Sequence, residues 1–278
     1  MKKRLLKKLL VRAFLVCLCA IFVFTGCDKE DADIGDNNAD IGNDGADSSV
    51  QAGNMGDEED FEAPDNTKRV ALTFDDGPHN VRTQAIVDEL AKYGYHATFF
   101  VVGNRVDGTA YGGGKTIPYI IEKGNEIGIH GYTHEVYYHN CDDETYEYEL
   151  SETAKAIHKY VSDYDIKLMR PIGGNITSQR VAESDYAVIM WNVDSEDWKY
   201  KYSSGDSEAE AKVKVNTIVH NVMSQVEDGS IILMHDIYES TYDAVKIILE
   251  RLHEEGYEVV TVSELLGGAE AGVKYSKG

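Results

Sequence analysis

The sequence predicts one α/β domain, most simply a barrel-like parallel sheet, because seven short apolar runs alternate with longer amphipathic stretches from residue 69 onward. Several of the runs are apolar throughout, as strands buried on both faces must be. No internal repeat divides the region. The strand segments are 69–74, 97–102, 126–129, 167–170, 187–193, 230–234 and 258–261. The clearest helix covers 143–162, where Leu150, Ala154, Ile157 and Val161 recur at helical spacing. Further helices are expected over 83–93, 117–123, 213–226 and 242–255.

The segment before the domain has a different character. Residues 1–12 carry Lys2, Lys3, Arg4, Lys7, Lys8 and Arg12 with no acid, and residues 13–24 form an apolar stretch of twelve. That is short of the roughly 20 residues that span a bilayer, and reads as an export signal over 1–26. Phe24-Thr25-Gly26-Cys27 resembles a bacterial lipobox, with Phe24 where such signals usually carry Leu. The resemblance implies lipidation at Cys27 and an extracytoplasmic, membrane-anchored protein. Ordinary secretion, with cleavage nearby, is the plainer alternative.

Residues 27–67 follow as an acidic tether. Positions 28–66 hold fourteen acids against Lys29 alone, a composition that cannot bury enough apolar surface to fold. The formal charge of −22 divides into +6 for residues 1–26, −13 for the tether and −15 for residues 67–278. So acidic a chain lacks the basic patch that nucleic acid requires. Of the four cysteines only Cys141 falls in the domain, so no internal disulfide is expected there and the core must carry the stability. Residues 68–266 are expected to form the domain and 267–278 a flexible tail, with a monomer as the default.

In a barrel of this kind function gathers in the βα loops at the carboxyl ends of the strands. The polar residues there are Asp75 and Asp76, His130 and His134, Arg170, Asp194 and Asp197, and His235, from five separate strand ends. Adjacent carboxylates are hard to explain as packing, since a strand sends alternate side chains to opposite faces and a buried unpaired carboxylate is costly. Gly77-Pro78 breaks the strand and can turn both toward one pocket; a solvated acidic turn is the bland alternative. His130 and His134, four apart on one helical face or one side of an irregular turn, can grip one cation. With one carboxylate they leave coordination positions open, which is a catalytic arrangement. Metal-assisted hydrolysis also needs a base and an acid, which the second aspartate and His235 can supply. Structural roles for a lone His235 and for Arg170 stay open at this level.

Thr73-Phe74-Asp75-Asp76-Gly77-Pro78, His130-x-x-x-His134, Arg170-Pro171-Ile172-Gly173-Gly174, the run from Trp191 to Trp198, and Ile232-Leu233-Met234-His235 resemble the five ordered motifs of the polysaccharide deacetylases. This is the NodB-homology domain of carbohydrate esterase family four, and the likeness covers about Lys68 to Leu266. It implies a distorted (β/α) barrel with about seven parallel strands and metal-dependent removal of N-acetyl, sometimes O-acetyl, groups from sugars. It further implies that Asp76, His130 and His134 bind one divalent metal, with zinc expected first and cobalt, nickel or iron also suited to such ligands. By the same resemblance Asp75 is the base, Arg170 orients it, and a backbone N–H near Gly173 stabilises the oxyanion. His235 is the acid, tuned by Asp197 or, second, Asp194, while Trp198 and Leu233 wall the acetyl pocket.

Three departures stand out. Gly131 replaces the usual Ser or Thr of the histidine motif, Ile172-Gly173 replaces the common Pro-Tyr, and residues 106–114, with three successive glycines, suggest an enlarged loop or a surface insertion. None removes a ligand, base or acid. The expectation is a deacetylase acting on N-acetylhexosamine units of a cell-surface polysaccharide, peptidoglycan first. The alternatives are an O-acetyl polysaccharide esterase and a non-catalytic glycan-binding protein on the same fold. Most of the eighteen tyrosines are expected to be half-buried structural residues.

Overall fold

Residues 67–278 are described by a computed structural model of the protein; the expected signal segment, Cys27 and nearly all of the expected tether lie outside these residues. Along the chain run β1 (Lys68–Asp75), α1 (Arg82–Ala91), β2 (Thr98–Val101), α2 (Gly103–Asp107), α3 (Gly113–Glu122), β3 (Glu126–Ile129), α4 (Asp143–His158), β4 (Leu168–Met169) and α5 (Ser178–Glu183). There follow β5 (Ala187–Ile189), β6 (Val193–Asp194), α6 (Glu208–Met223), β7 (Ile231–His235), α7 (Glu239–Glu254), β8 (Tyr257–Val259), α8 (Val262–Leu265) and β9 (Lys274–Tyr275). Single 3₁₀ turns cover Thr109–Tyr111, Ile172–Gly174 and Asp197–Lys199.

The strands pair in the order β6-β7-β1-β2-β3-β4-β5-β9, with β8 on the first residues of β1, and every pairing between strands is parallel. β5 and β6 stand near opposite ends of that order, yet only Met190, Trp191 and Asn192 join them. That link spans at most about 14 Å, so the sheet must curl until its ends lie side by side. The expected barrel-like parallel sheet is thus what forms.

Alternation along each strand sorts the core into two. Val70, Leu72 and Phe74 of β1, Phe99 and Val101 of β2, and Ile232 and Met234 of β7 pack outward into the large cluster shared with the helices. Ala71, Phe100, Leu168, Ile189 and Ile231 belong to a separate cluster that fills the inside of the curl. On the inward-facing side of the same strands, one step further along, stand Thr73, Asp75 and His235. The barrel interior is therefore apolar below and polar at its carboxyl end.

Two expectations change. The single strand expected over 187–193 is two strands, because the chain leaves β4 after Ile189 and crosses to β7, where Asn192 accepts from Ile231 N–H at 2.8 Å. Residues 267–278 are not a free tail: β9 pairs with β5 through Val188–Lys274 and Ile189–Tyr275, and Ser230 bridges Lys277. An open edge at β5 invites a further strand, and Tyr275 packs against the inner cluster as it provides one. Among the described residues nine strands stand where about seven were expected. Among the described residues no helix is long and apolar enough to cross a membrane.

Candidate metal and catalytic site

β1 carries Asp75 inward, and ordinary alternation would then send Asp76 the other way. Asp76 instead adopts a left-handed conformation, φ 72°, so both carboxylates reach the same site. The turn begins at Asp76 itself rather than at Gly77-Pro78. Gly77 is needed for a different reason: a Cβ there would lie 2.5 Å from the buried Asp236 carboxylate, which also accepts from the Thr83 hydroxyl. Burial pushes the Asp236 carboxyl up to about 7 against that hydrogen bond, and its Oδ1 has no hydrogen-bond partner.

The histidines come from the loop after β3, which is an irregular turn and not a helix. Its shape is held by Glu149 of α4, a buried carboxylate that accepts from the N–H groups of Tyr132 and Thr133 at 2.6 and 2.9 Å and from the Thr133 hydroxyl at 2.6 Å. Gly131 has φ 83°, and a Cβ on it would stand 2.9 Å from the Tyr138 hydroxyl and 3.1 Å from Glu149 Oε2. A Ser or Thr there would crowd the anchor, so Thr133 supplies the loop's hydroxyl instead.

His130 is buried, and its Nδ1 lies 2.9 Å from the Arg170 carbonyl oxygen. A carbonyl only accepts, so Nδ1 carries the proton and the neutral ring presents the Nε2 lone pair. That Nε2 lies 3.5 Å from Asp76 Oδ1 and 3.6 Å from Asp75 Oδ2. His134 Nε2 comes within 2.8 Å of the same Asp76 oxygen. One ligand atom from each of Asp76, His130 and His134 lies within 4.8 Å of the others. Asp76 Oδ1 is buried and, despite these neighbours, accepts no hydrogen bond. An orphaned carboxylate oxygen facing two imidazole nitrogens is what one divalent cation would satisfy, and the donor set fits it.

The electrostatics agree in direction. Burial pushes the Asp76 carboxyl up, but the His134 contact and the nearby histidines together hold it below the usual range. Burial lowers His130, only partly offset by Asp75 and Asp76, and keeps the imidazole in its ligating neutral form. The Asp76 contact raises His134, against its burial.

Arg170 is buried and makes four hydrogen bonds. Its Nη1 donates to Asp75 Oδ1 and Thr73 Oγ1, both at 2.8 Å, while Nε and Nη2 reach the carbonyls of Ile189 and Met190. It lies against the Phe100 ring, 4.3 Å from its centre. Asp75 is thereby fixed at Oδ1, with Oδ2 turned toward His130.

His235 is paired in register with Asp75 across β7 and β1. Its Nδ1 meets Asp197 Oδ1 at 2.7 Å, and Asp197 Oδ2 accepts from the His235 N–H and the Thr241 hydroxyl, each at 2.7 Å. Burial pulls the imidazole down, but the charge and hydrogen bond of Asp197 outweigh it and raise His235 to about 9. Asp194 takes no part: its carboxylate accepts from Glu196 N–H. Leu233 shares the inward face with His235 and is buried, while Trp198 is half-exposed on the turn that carries Asp197. Gly173 has φ 59°, and the N–H groups of Gly174 and Asn175 close its turn, leaving that of Gly173 outside those bonds.

Glu149, Thr73 and Thr241 are the supporting residues that sequence reasoning missed. Thr73 lies inside the first motif and was within reach. Glu149 and Thr241 sit in helices among similar residues, with no local signal to mark them.

Known proteins add to this picture. Residues 62–187 match the family described as polysaccharide deacetylase. The chain is 38% identical over 200 residues to the peptidoglycan-N-acetylmuramic acid deacetylase PdaC of Bacillus subtilis, a match covering 72% of this chain and 39% of that protein. It therefore spans about two fifths of the length of the first curated relatives it matches. It is 34% identical over 214 residues to a peptidoglycan-N-acetylglucosamine deacetylase of Bacillus cereus, covering 74% of this chain and 92% of that one. The solved family 4 acetyl xylan esterase of Clostridium thermocellum, in complex with a cobalt ion, superposes with a TM-score of 0.65 at 30% identity, covering 76% of this chain and 98% of that one.

Proposed function

Because this chain belongs to the polysaccharide deacetylase family, we propose that it hydrolyses the acetamide of N-acetylhexosamine units in a cell-surface polysaccharide, peptidoglycan first. The observation that carries the reading is the pairing of Asp75 and His235 on adjacent strands, each with its own fixed partner, beside the Asp76, His130 and His134 cluster. Asp76, His130 and His134 would hold one divalent cation, zinc first, with cobalt, nickel or iron suited to the same ligands. Such a cation, when bound, supplies Lewis acidity to the acyl carbonyl and to a water molecule.

The chain's own residues do the rest. Asp75 takes the proton of the attacking water at Oδ2, since Arg170 holds Oδ1. Water adds to the carbonyl carbon, and the Gly173 N–H receives the developing oxyanion. His235, protonated at neutral pH, gives its Nε2 proton to the departing amine as the C–N bond breaks, yielding acetate and a free amino sugar. Asp197 keeps that imidazole protonated and oriented. Leu233 and Trp198 wall the acetyl methyl group.

Acetate release from N-acetylglucosamine oligomers and from peptidoglycan tests the reading, with loss on chelation and return on adding metal as the expected result. Release from O-acetylated xylan alone would overturn it in favour of the esterase reading, which the likeness to the acetyl xylan esterase supports. Export and lipid attachment at Cys27 belong to the same proposal. A fatty-acid label that fails to enter the full-length protein would remove the anchor.

A further inference from the structure

The rim of the site holds a cation that the reaction does not use. Arg105 of α2 lines a cavity of about 520 Å³ with Asp76, His134, Asn104, Tyr111 and Glu135. Its guanidinium rests on the Tyr111 ring, 4.8 Å from the centre, and has no ion pair or side-chain hydrogen bond among the described residues. Glu135 lines the same cavity without pairing with it.

That placement is built in. A Cβ on Gly108 would lie 2.9 Å from the Tyr111 ring, and one on Gly113 would lie 2.0 Å from the Val106 carbonyl oxygen. Gly112 adds a left-handed turn, φ 74°. The glycines of residues 106–114 thus let the chain fold tightly enough to bring Tyr111 against Arg105, which a loose surface insertion would not require. The backbone of α2 is also tied to the histidine loop, with Gly103 and Asn104 N–H donating to the carbonyls of Gly131 and Tyr132 at 2.9 Å.

A guanidinium stacked on an aromatic face keeps its N–H edge free as a planar fork, the shape that receives a carboxylate. One cation beside the acids Asp76 and Glu135 suits a singly charged carboxylate better than a phosphate dianion. We propose that Arg105, held by Tyr111, is a specificity-determining residue that receives a carboxylate borne by the glycan beside the scissile acetamide. Two sources carry that group in peptidoglycan: the lactyl ether of N-acetylmuramic acid and the stem peptide. The proposal rests on the deacetylase reading above.

The test compares kcat/KM on neutral N-acetylglucosamine oligomers with that on glycan strands stripped of peptide, which expose lactyl carboxylates, and on strands with intact stem peptides. Arg105→Gln is expected to lower the carboxylate-over-neutral ratio about tenfold in the arm that supplies the natural source. A ratio unchanged in both arms overturns the proposal. If Arg105→Gln does not fold, the natural protein's preference should shrink as salt rises from about 0.05 to 1 M, and a salt-independent preference overturns the proposal equally. Binding of the same glycans to metal-loaded Asp75→Asn protein reads recognition without turnover. A protein inactive on every acetylated glycan would then sink the deacetylase reading while the binding ratio still decides on Arg105.

Discussion

At the floor of the site Arg170 is buried and commits its guanidinium to Asp75, Thr73 and two carbonyls, whereas at the rim Arg105 is partly exposed and rests only on a tyrosine ring. A buried cation held by four hydrogen bonds fixes its neighbours, because any displacement strands a charge in low dielectric. A partly exposed cation with free donors fixes nothing and is available to a ligand. The floor repeats its pattern at His235, where Asp197 is held by the His235 N–H and Thr241. On the proposed reading, the reaction groups are thus preorganised below and the variable part of recognition lies above.

Floor residues should tolerate substitution far less than rim residues. The largest effect is expected for Asp197→Asn, which removes the charge that holds His235 at about 9. Turnover should fall about 10²- to 10⁴-fold, the range for a lost general acid. The sign follows from the acid being the protonated form: activity falls as pH rises through about 9, and in Asp197→Asn that alkaline limb moves to lower pH. The same raised pKa gives folding stability that is fully present below the ordinary 6.5 and lost as pH rises toward about 9. A pH–rate profile and an imidazole titration followed by NMR check both; a limb that stays in place would contradict the role of Asp197.

A smaller effect is expected one layer out. Glu149→Gln keeps the shape but replaces a carboxylate that accepts three hydrogen bonds from the histidine loop. Metal affinity should drop about 10- to 100-fold, as for other supports of ligand loops, with the fold kept. Competition against a chelator of known affinity measures it, and wild-type affinity would show that the loop holds its shape without Glu149. The smallest effect is the rim's: about tenfold in the Arg105 selectivity ratio.

Much of this was legible in the sequence, for physical reasons. Strands buried on both faces must be apolar, so β1, β3 and β7 announce themselves, and a polar residue ending such a strand has few places to go but the barrel mouth. What failed depends on distant partners. The break between β5 and β6 follows from Asn192 reaching Ile231 across the closing sheet. β9 is two residues in a glycine-containing segment and exists because β5 offers an edge. Glu149 is one acid among several on α4, and only the fold shows that it alone turns under the histidine loop. The third motif's Gly173 was legible as a departure, while its left-handed backbone needed the structure.

The two neighbouring carboxylates divide the labour on this reading, and metal content measured beside acetate release on Asp75→Asn and Asp76→Asn separates their roles. Asp75 is held by Arg170 and Asp76 faces the two imidazoles. The expected result is one bound metal with turnover reduced at least about 10²-fold for Asp75→Asn, and loss of both metal and turnover for Asp76→Asn. An Asp75→Asn protein that stays active, or an Asp76→Asn protein that keeps its metal at wild-type affinity, would contradict the account.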